Sequence, residues 1–179
     1  MNALIYIVQT LLSLVLFAFM ARVLLQIARA DFRNPLAQAV VKITNPLVMP
    51  LRRVLPPIGK VDTASIVAVI IVATLEVVIV NTLAAIFVPD LFTWVRLIVM
   101  EIITTALEAY FWSILIYALL SMVAPGGYSP VQALLGALCE PILRPFRKII
   151  PPIAGIDFSP MWALIAIRAL IMLLAELLH

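Results

Sequence analysis

The stretch RRVLPPIGKVD occupies residues 52–62, and RKIIPPIAGID repeats its plan at residues 147–157. Each copy has a basic pair, a short apolar step, two prolines and an aspartate. The two copies are offset by 95 residues. At this offset the matching positions are Arg52 with Arg147, Arg53 with Lys148, Pro46 and Pro50 with Pro141 and Pro145, Pro56 and Pro57 with Pro151 and Pro152, and Asp62 with Asp157. This pattern predicts a duplicated unit, with repeat 1 at residues 1–89 and repeat 2 at residues 90–179.

The composition around this motif is that of a membrane protein. Hydrophobic residues make up 65% of the chain, charged residues only 12%, and the mean hydropathy is +1.21. A globule of this size cannot hide so much apolar surface. Four apolar segments, at residues 3–28, 63–88, 97–123 and 158–178, each reach the roughly 20 residues that cross a bilayer. We therefore predict an all-α membrane protein with four transmembrane helices in two parallel repeats.

The charge distribution predicts how the chain is oriented. No basic residue precedes the first apolar segment, which favours a retained membrane helix over a signal peptide. Nine of the twelve Lys and Arg residues lie at residues 29–62 and 124–157. Positive segments stay on the cytoplasmic side, so both termini are expected on the periplasmic face of a bacterial inner membrane.

The two basic segments are predicted to lie in the membrane interface as amphipathic helices. Asn34-Pro35 and Ser129-Pro130 are typical helix starts, and Pro46 and Pro141 are expected to break the helices they begin. The basic residues have two interpretations: anchoring, at about 1 kcal/mol for each residue near an anionic leaflet, or docking of a protein partner or lipid. Recurrence of the prolines favours docking. The candidate binding residues are Arg52, Arg53, Arg144, Arg147 and Lys148.

The sequences NPLVMPLRRVLPPIGKVD and EPILRPFRKIIPPIAGID, each between two apolar spans, resemble the YggT/YlmG family of small membrane proteins. The resemblance implies an integral inner-membrane accessory protein. Bacterial members have been associated with osmotic or cation stress, envelope functions and division, and plastid relatives with cytochrome biogenesis and nucleoid organisation. Many members carry an arginine ahead of each basic segment. Arg22 occupies that place in repeat 1, whereas repeat 2 has Tyr117.

Four of the charged residues within the predicted spans form a candidate intramembrane cluster. Glu76, Glu108 and Arg168 are near midpoints, and Glu101 lies one heptad before Glu108. Because an unpaired charge there costs at least roughly 2.5–3.5 kcal/mol, we expect Arg168 to pair with Glu76, Glu108 or both. Arg22 is expected to snorkel towards the interface. The cluster either orients the helices or forms a proton or cation path along Glu101 and Glu108.

Catalytic and cofactor motifs are absent from the sequence. It has one cysteine, Cys139, one histidine, His179, and no HExxH, CxxC or glycine-rich phosphate loop. We therefore expect no enzyme, metal site or cofactor, and no direct nucleic-acid partner. The predicted role is an accessory or scaffold protein whose basic segments dock anionic lipid, a membrane-protein partner or a second copy. The alternative is a small oligomeric proton or cation channel.

Overall fold

The computed structural model describes residues 2–58, 62–123, 129–149 and 157–178, and within these ranges the chain forms six helices and no strand. In chain order the helices are α1 (Ala3–Ile27), α2 (Pro35–Val54), α3 (Thr63–Leu83), α4 (Leu91–Val123), α5 (Pro130–Ile149) and α6 (Ser159–Leu178). The prediction of an all-helical fold is confirmed. Pro151 and Pro152 of the repeated motif are among the residues that lie outside the described ranges.

Four of these helices, α1, α3, α4 and α6, are long and apolar enough to cross a membrane, which confirms the four predicted spans and indicates an integral membrane protein. The boundary between the second and third spans differs from the prediction. Asp90 starts α4 earlier, in the connecting stretch VPDLFTWVR at residues 88–96, because its Oδ1 accepts a hydrogen bond from the Thr93 backbone N–H at 2.8 Å. The third span therefore begins at Leu91.

Both α1 and α3 end in a left-handed residue that is not glycine. Arg29 has φ 52° and Ala85 has φ 53°. The closing bonds run from the Ala30 N–H to the Leu25 carbonyl at 2.9 Å and from the Ile86 N–H to the Asn81 carbonyl at 3.0 Å. These are the bonds of a Schellman motif, in which glycine is the usual left-handed residue. The side chain therefore strains the backbone at both helix ends.

Helices α2 and α5 run without interruption through their internal prolines. The predicted breaks at Pro46 and Pro141 are therefore not found. A proline removes one hydrogen-bond donor and crowds the preceding turn, but all four internal prolines are exposed. The opposite, buried face keeps its contacts: Ala37, Thr44 and Val48 are each 0% exposed. Packing of that face outweighs the loss of one backbone bond per proline.

The chain packs as two compact units, which do not follow the predicted repeats. The first unit comprises Met1–Val23 with Val40–Ala106. Within it, α1 buries Leu16, and α3 buries Ala64 and Ala68, small residues one turn apart that allow close helix packing. A hydrogen bond from Ser13 to Glu76 also joins α1 to α3. The repeat boundaries remain a prediction from the sequence.

The second unit comprises Leu24–Ala39 with Leu107–His179. Its core brings together α4, α5 and α6 through five buried residues: Ile114, Cys139, Leu143, Ala163 and Ile167. Cys139 is 0% exposed, and burial raises the pKa of its thiol to about 12. It is therefore a packing residue in this core, and its thiol is shielded from modification.

We predict that Ala85→Gly stabilises the protein, because glycine removes the steric strain of the left-handed conformation. The free energy of unfolding should rise by about 0.5–1 kcal/mol after the added backbone entropy of glycine is subtracted. The neighbouring Ala84, with φ −78°, is the matched control, and Ala84→Gly should lower stability by about 0.5–1 kcal/mol. Denaturant unfolding in detergent measures both; a loss of stability in Ala85→Gly would contradict the strain.

Candidate functional site

The repeated motif forms an ion pair that ties the end of α2 to the start of α3. Arg52 lies in the last turn of α2, and Asp62 is the N-cap residue of α3. The Arg52 guanidinium donates from Nε to Asp62 Oδ1 at 3.3 Å and from Nη2 to Oδ2. The Ser65 hydroxyl donates to Asp62 Oδ2 at 2.6 Å. We call the Arg52–Asp62 pair the first clasp.

The second repeat builds the same interaction from the matching residues. The Arg147 Nε, at the end of α5, donates to Asp157 Oδ2 at 2.8 Å, immediately before α6. Arg147 also donates from Nη1 to Glu140 Oε2 at 2.6 Å. We call the Arg147–Asp157 pair the second clasp. Each clasp joins the end of a proline-containing helix to the beginning of the next span.

The electrostatics of the clasps favour the ionised aspartates. Burial opposes ionisation of Asp62, but hydrogen bonds from Arg52 and Ser65 outweigh it and hold the pKa of Asp62 below its ordinary value of 3.8. Burial likewise opposes ionisation of Asp157, and hydrogen bonds from Ser159 and Arg147 keep its pKa below that value. Both clasps therefore keep their charges at neutral pH.

A second polar contact lies beside the first clasp. Arg22 on α1 is only 3% exposed. Its Nη1 donates to the Thr44 hydroxyl at 2.7 Å and to Asn45 Oδ1 at 3.0 Å, both on α2. These bonds satisfy a buried guanidinium. Arg22 and the first clasp together attach α2 to two spans of the first unit.

The five predicted binding residues divide into two groups. Arg52 and Arg147 belong to the clasps, although their side chains are 45% and 31% exposed. Arg53, Arg144 and Lys148 are exposed, and none of them takes part in the ion pairs found among the described residues. The sequence did not separate these groups, because it shows which residues are basic and not which ones have a carboxylate within reach.

The charged residues within the spans differ in their burial. Glu76 is 3% exposed; one carboxylate oxygen accepts the Ser13 hydroxyl, and the other, Oε2, has no hydrogen-bond partner among the described residues. Glu108 and Arg168, which belong to the same unit, are both exposed and form no ion pair with each other. The predicted Arg168–Glu108 pair is therefore not formed. Glu101 is half-buried on α4.

The family model described as CCB3/YggT matches residues 1–83 and residues 96–178 of this chain. The chain belongs to the CCB3/YggT family. The two matched segments begin 95 residues apart, which is the offset that aligns the two copies of the motif. Each segment of this CCB3/YggT protein contains one complete clasp, with its arginine and its aspartate.

Curated relatives support the same assignment. An uncharacterized protein of Pseudomonas aeruginosa is 40% identical over 176 residues, covering 96% of this chain and 88% of the relative. The uncharacterized protein YggT of Escherichia coli K12 is 35% identical over 179 residues, covering 100% of this chain and 93% of the relative. A Vibrio alginolyticus protein is 36% identical and covers 89% and 86% of the two chains. No solved structure matches the chain.

We predict that Arg52→Ala destabilises the protein far more than the adjacent Arg53→Ala, although both remove one positive charge. Loss of Arg52 leaves the Asp62 carboxylate, 7% exposed, with Ser65 as its one remaining side-chain donor among the described residues. The expected loss is about 1–3 kcal/mol for Arg52→Ala and less than about 0.5 kcal/mol for Arg53→Ala. Thermal unfolding in detergent compares the two.

Arg147→Ala and Lys148→Ala provide the same comparison in the second repeat. The double variant Arg52→Ala/Asp62→Asn should lose less stability than its two single variants combined, since the interaction is lost only once. Equal losses in the adjacent variants, or strict additivity in the double variant, would show that the clasps do not stabilise the fold.

Proposed function

We propose that this CCB3/YggT protein is a non-enzymatic scaffold of the bacterial inner membrane that docks a membrane-protein partner on its cytoplasmic side. The observation that carries the proposal is the division between clasped and exposed basic residues. The clasps hold the ends of α2 and α5, while Arg53 and Lys148, each one position further on, are exposed and outside the ion pairs of the described residues. They are therefore available to a carboxylate or phosphate of another molecule.

The α2 helix has the surface of an amphipathic helix in the membrane interface. The apolar residues Leu36 and Ile43 are 41% and 66% exposed, and Lys42 and Arg53 are exposed elsewhere on the helix. An interfacial helix places its apolar side chains among the acyl chains and its basic ones among the headgroups. Lipid contact of this kind would anchor α2 and leave its basic end for docking.

We also infer the membrane topology and the cellular role of the protein. Two repeats, each with two spans and one interfacial helix, place both clasps on the cytoplasmic face and both termini in the periplasm. The start points of the two family matches, residues 1 and 96, support the duplication. Through the family, we infer a role in envelope biogenesis, division or osmotic stress tolerance, without catalysis.

We predict that a photo-crosslinker at Ile149, which is 78% exposed beside Lys148, captures a protein in native membranes. Arg53→Glu/Lys148→Glu should abolish this capture by reversing the charge of the two docking residues while leaving the folded yield unchanged. Arg33→Glu/Arg96→Glu is the matched control, because it changes the net charge equally at two other positions, and it should keep the capture.

Mass spectrometry of the crosslinked product distinguishes the outcomes. A protein adduct lost only in Arg53→Glu/Lys148→Glu supports docking. Lipid adducts alone would show that the basic residues only anchor the helices, and capture that persists in Arg53→Glu/Lys148→Glu would contradict the assigned surface.

A further inference from the structure

The second unit contains a cavity of about 840 Å³ between the end of α4, the start of α6 and Arg147 of α5. This volume is within the range of small-molecule sites, roughly 300–1,000 Å³. Its lining from α4 lies at residues 117–122, close to the end of that span, and its lining from α6 lies at residues 158–165, close to the start of the other. The cavity is therefore at the level where a span leaves the bilayer.

The lining has one polar end and an apolar wall. The polar end comprises Tyr117, Ser121 and the second clasp, Arg147 with Asp157. The wall is formed by large apolar side chains of the spans, including Phe158 and Leu164. A polar end at the bilayer boundary with an apolar wall along the spans is complementary to an amphiphile, and a phospholipid is the amphiphile that reaches this depth in a membrane.

The charges at the polar end select the headgroup. Arg147 donates from Nε to Asp157 and from Nη1 to Glu140, and its Nη2 has no hydrogen bond with the described residues. The lining itself supplies one arginine and one carboxylate, and Glu140, which shares Arg147 from outside the lining, gives these three groups a net charge of −1. Nη2 can donate to a phosphate, while Asp157 can accept a hydrogen bond from an ammonium.

We propose that this cavity binds one phospholipid with a zwitterionic aminoethyl phosphate headgroup, as in phosphatidylethanolamine. The phosphate lies on Arg147 Nη2, the primary ammonium lies on Asp157 with the charge of Glu140 nearby, and an acyl chain follows the apolar wall. Neither Arg53 nor Lys148 lines the cavity, so the inference does not rest on the proposed function.

The first repeat has the opposite charge balance at the matching positions. Arg22 stands in the place of Tyr117, and Asn45 stands in the place of Glu140. Arg22, Arg52 and Asp62 together leave a surplus of one positive charge. Ser65 and Val69, which match Pro160 and Leu164 of the cavity lining, are only 1% and 4% exposed. The headgroup preference is therefore expected for the second repeat alone.

Native mass spectrometry of the full chain tests this site after delipidation in detergent and addition of phosphatidylethanolamine, phosphatidylcholine and phosphatidylglycerol in equal amounts. We expect one phosphatidylethanolamine per chain to survive collisional activation that strips the other two lipids. Phosphatidylcholine has the phosphate but no N–H donor for the carboxylates, and phosphatidylglycerol has the phosphate but no cation.

Two variants with matched controls locate the binding. Ser121→Phe fills the cavity and should abolish the retained lipid, whereas Gln26→Phe at the matching position of the first repeat should keep it. Glu140→Gln should reduce the preference for phosphatidylethanolamine over phosphatidylglycerol by roughly threefold, the effect of one partly exposed charge contact. Glu176→Gln, an exposed carboxylate elsewhere on α6, should leave that preference unchanged.

The contradicting results are equally specific. Equal retention of the three lipids by the unmodified chain, or a preference for phosphatidylglycerol, would overturn the headgroup assignment. Retention of phosphatidylethanolamine by a folded Ser121→Phe variant would place the lipid outside the cavity. Folding of that variant is checked by its thermal unfolding in detergent before lipid is added.

Discussion

The Arg–Asp ion pair at the end of each proline-containing helix is the interaction on which the rest of this structure depends. An exposed arginine pair contributes little to stability, but Asp62 is nearly buried and its carboxylate is shared by Arg52 and Ser65. Asp62 is also the N-cap residue of α3. The interaction therefore joins the beginning of a candidate membrane span to the last turn of the preceding helix.

The surroundings of the two clasps have diverged while the clasps themselves match residue for residue. Near Asp62, the additional charge is the buried guanidinium of Arg22, held by Thr44 and Asn45. Near Asp157, the additional charge is the carboxylate of Glu140, which shares Arg147. The same structural contact is thus set in surroundings of opposite charge. Such divergence suits a protein in which one repeat keeps a structural contact and the other adds a ligand.

The features that depend on local composition were predicted from the sequence. The features that depend on contacts between separate helices were not. Apolar length located all four spans, and Asn34 followed by Pro35 correctly placed the start of α2. The early start of α4 was missed, since the turn VPDLFTWVR contains its own cap at Asp90. Pro46 was expected to break α2, because the rule for proline considers the backbone alone and ignores the buried face that holds the helix.

The candidate site was predicted less completely than the fold. The motif was found from its repetition, but Arg52 and Arg147 were assigned to binding because their aspartates are ten residues away, across a segment whose path the sequence does not reveal. The buried contacts of Arg22 were missed for a related reason: its partners Thr44 and Asn45 are on another helix. Residue type and spacing identify a charged group, whereas only the folded chain identifies its partner.

The most direct measurement is the proximity of each arginine position to its aspartate position in native membranes. The experiment uses a Cys139→Ala background and the pairs Arg52→Cys/Asp62→Cys and Arg147→Cys/Asp157→Cys. Each pair is treated with a short crosslinker that joins only thiols lying close together. The structure predicts efficient linkage in both pairs, detected by peptide mass spectrometry, and little in the Arg53→Cys/Asp62→Cys and Lys148→Cys/Asp157→Cys controls. Absence of linkage in the clasp pairs, or equal linkage in the controls, would contradict the structure proposed for the repeated motif.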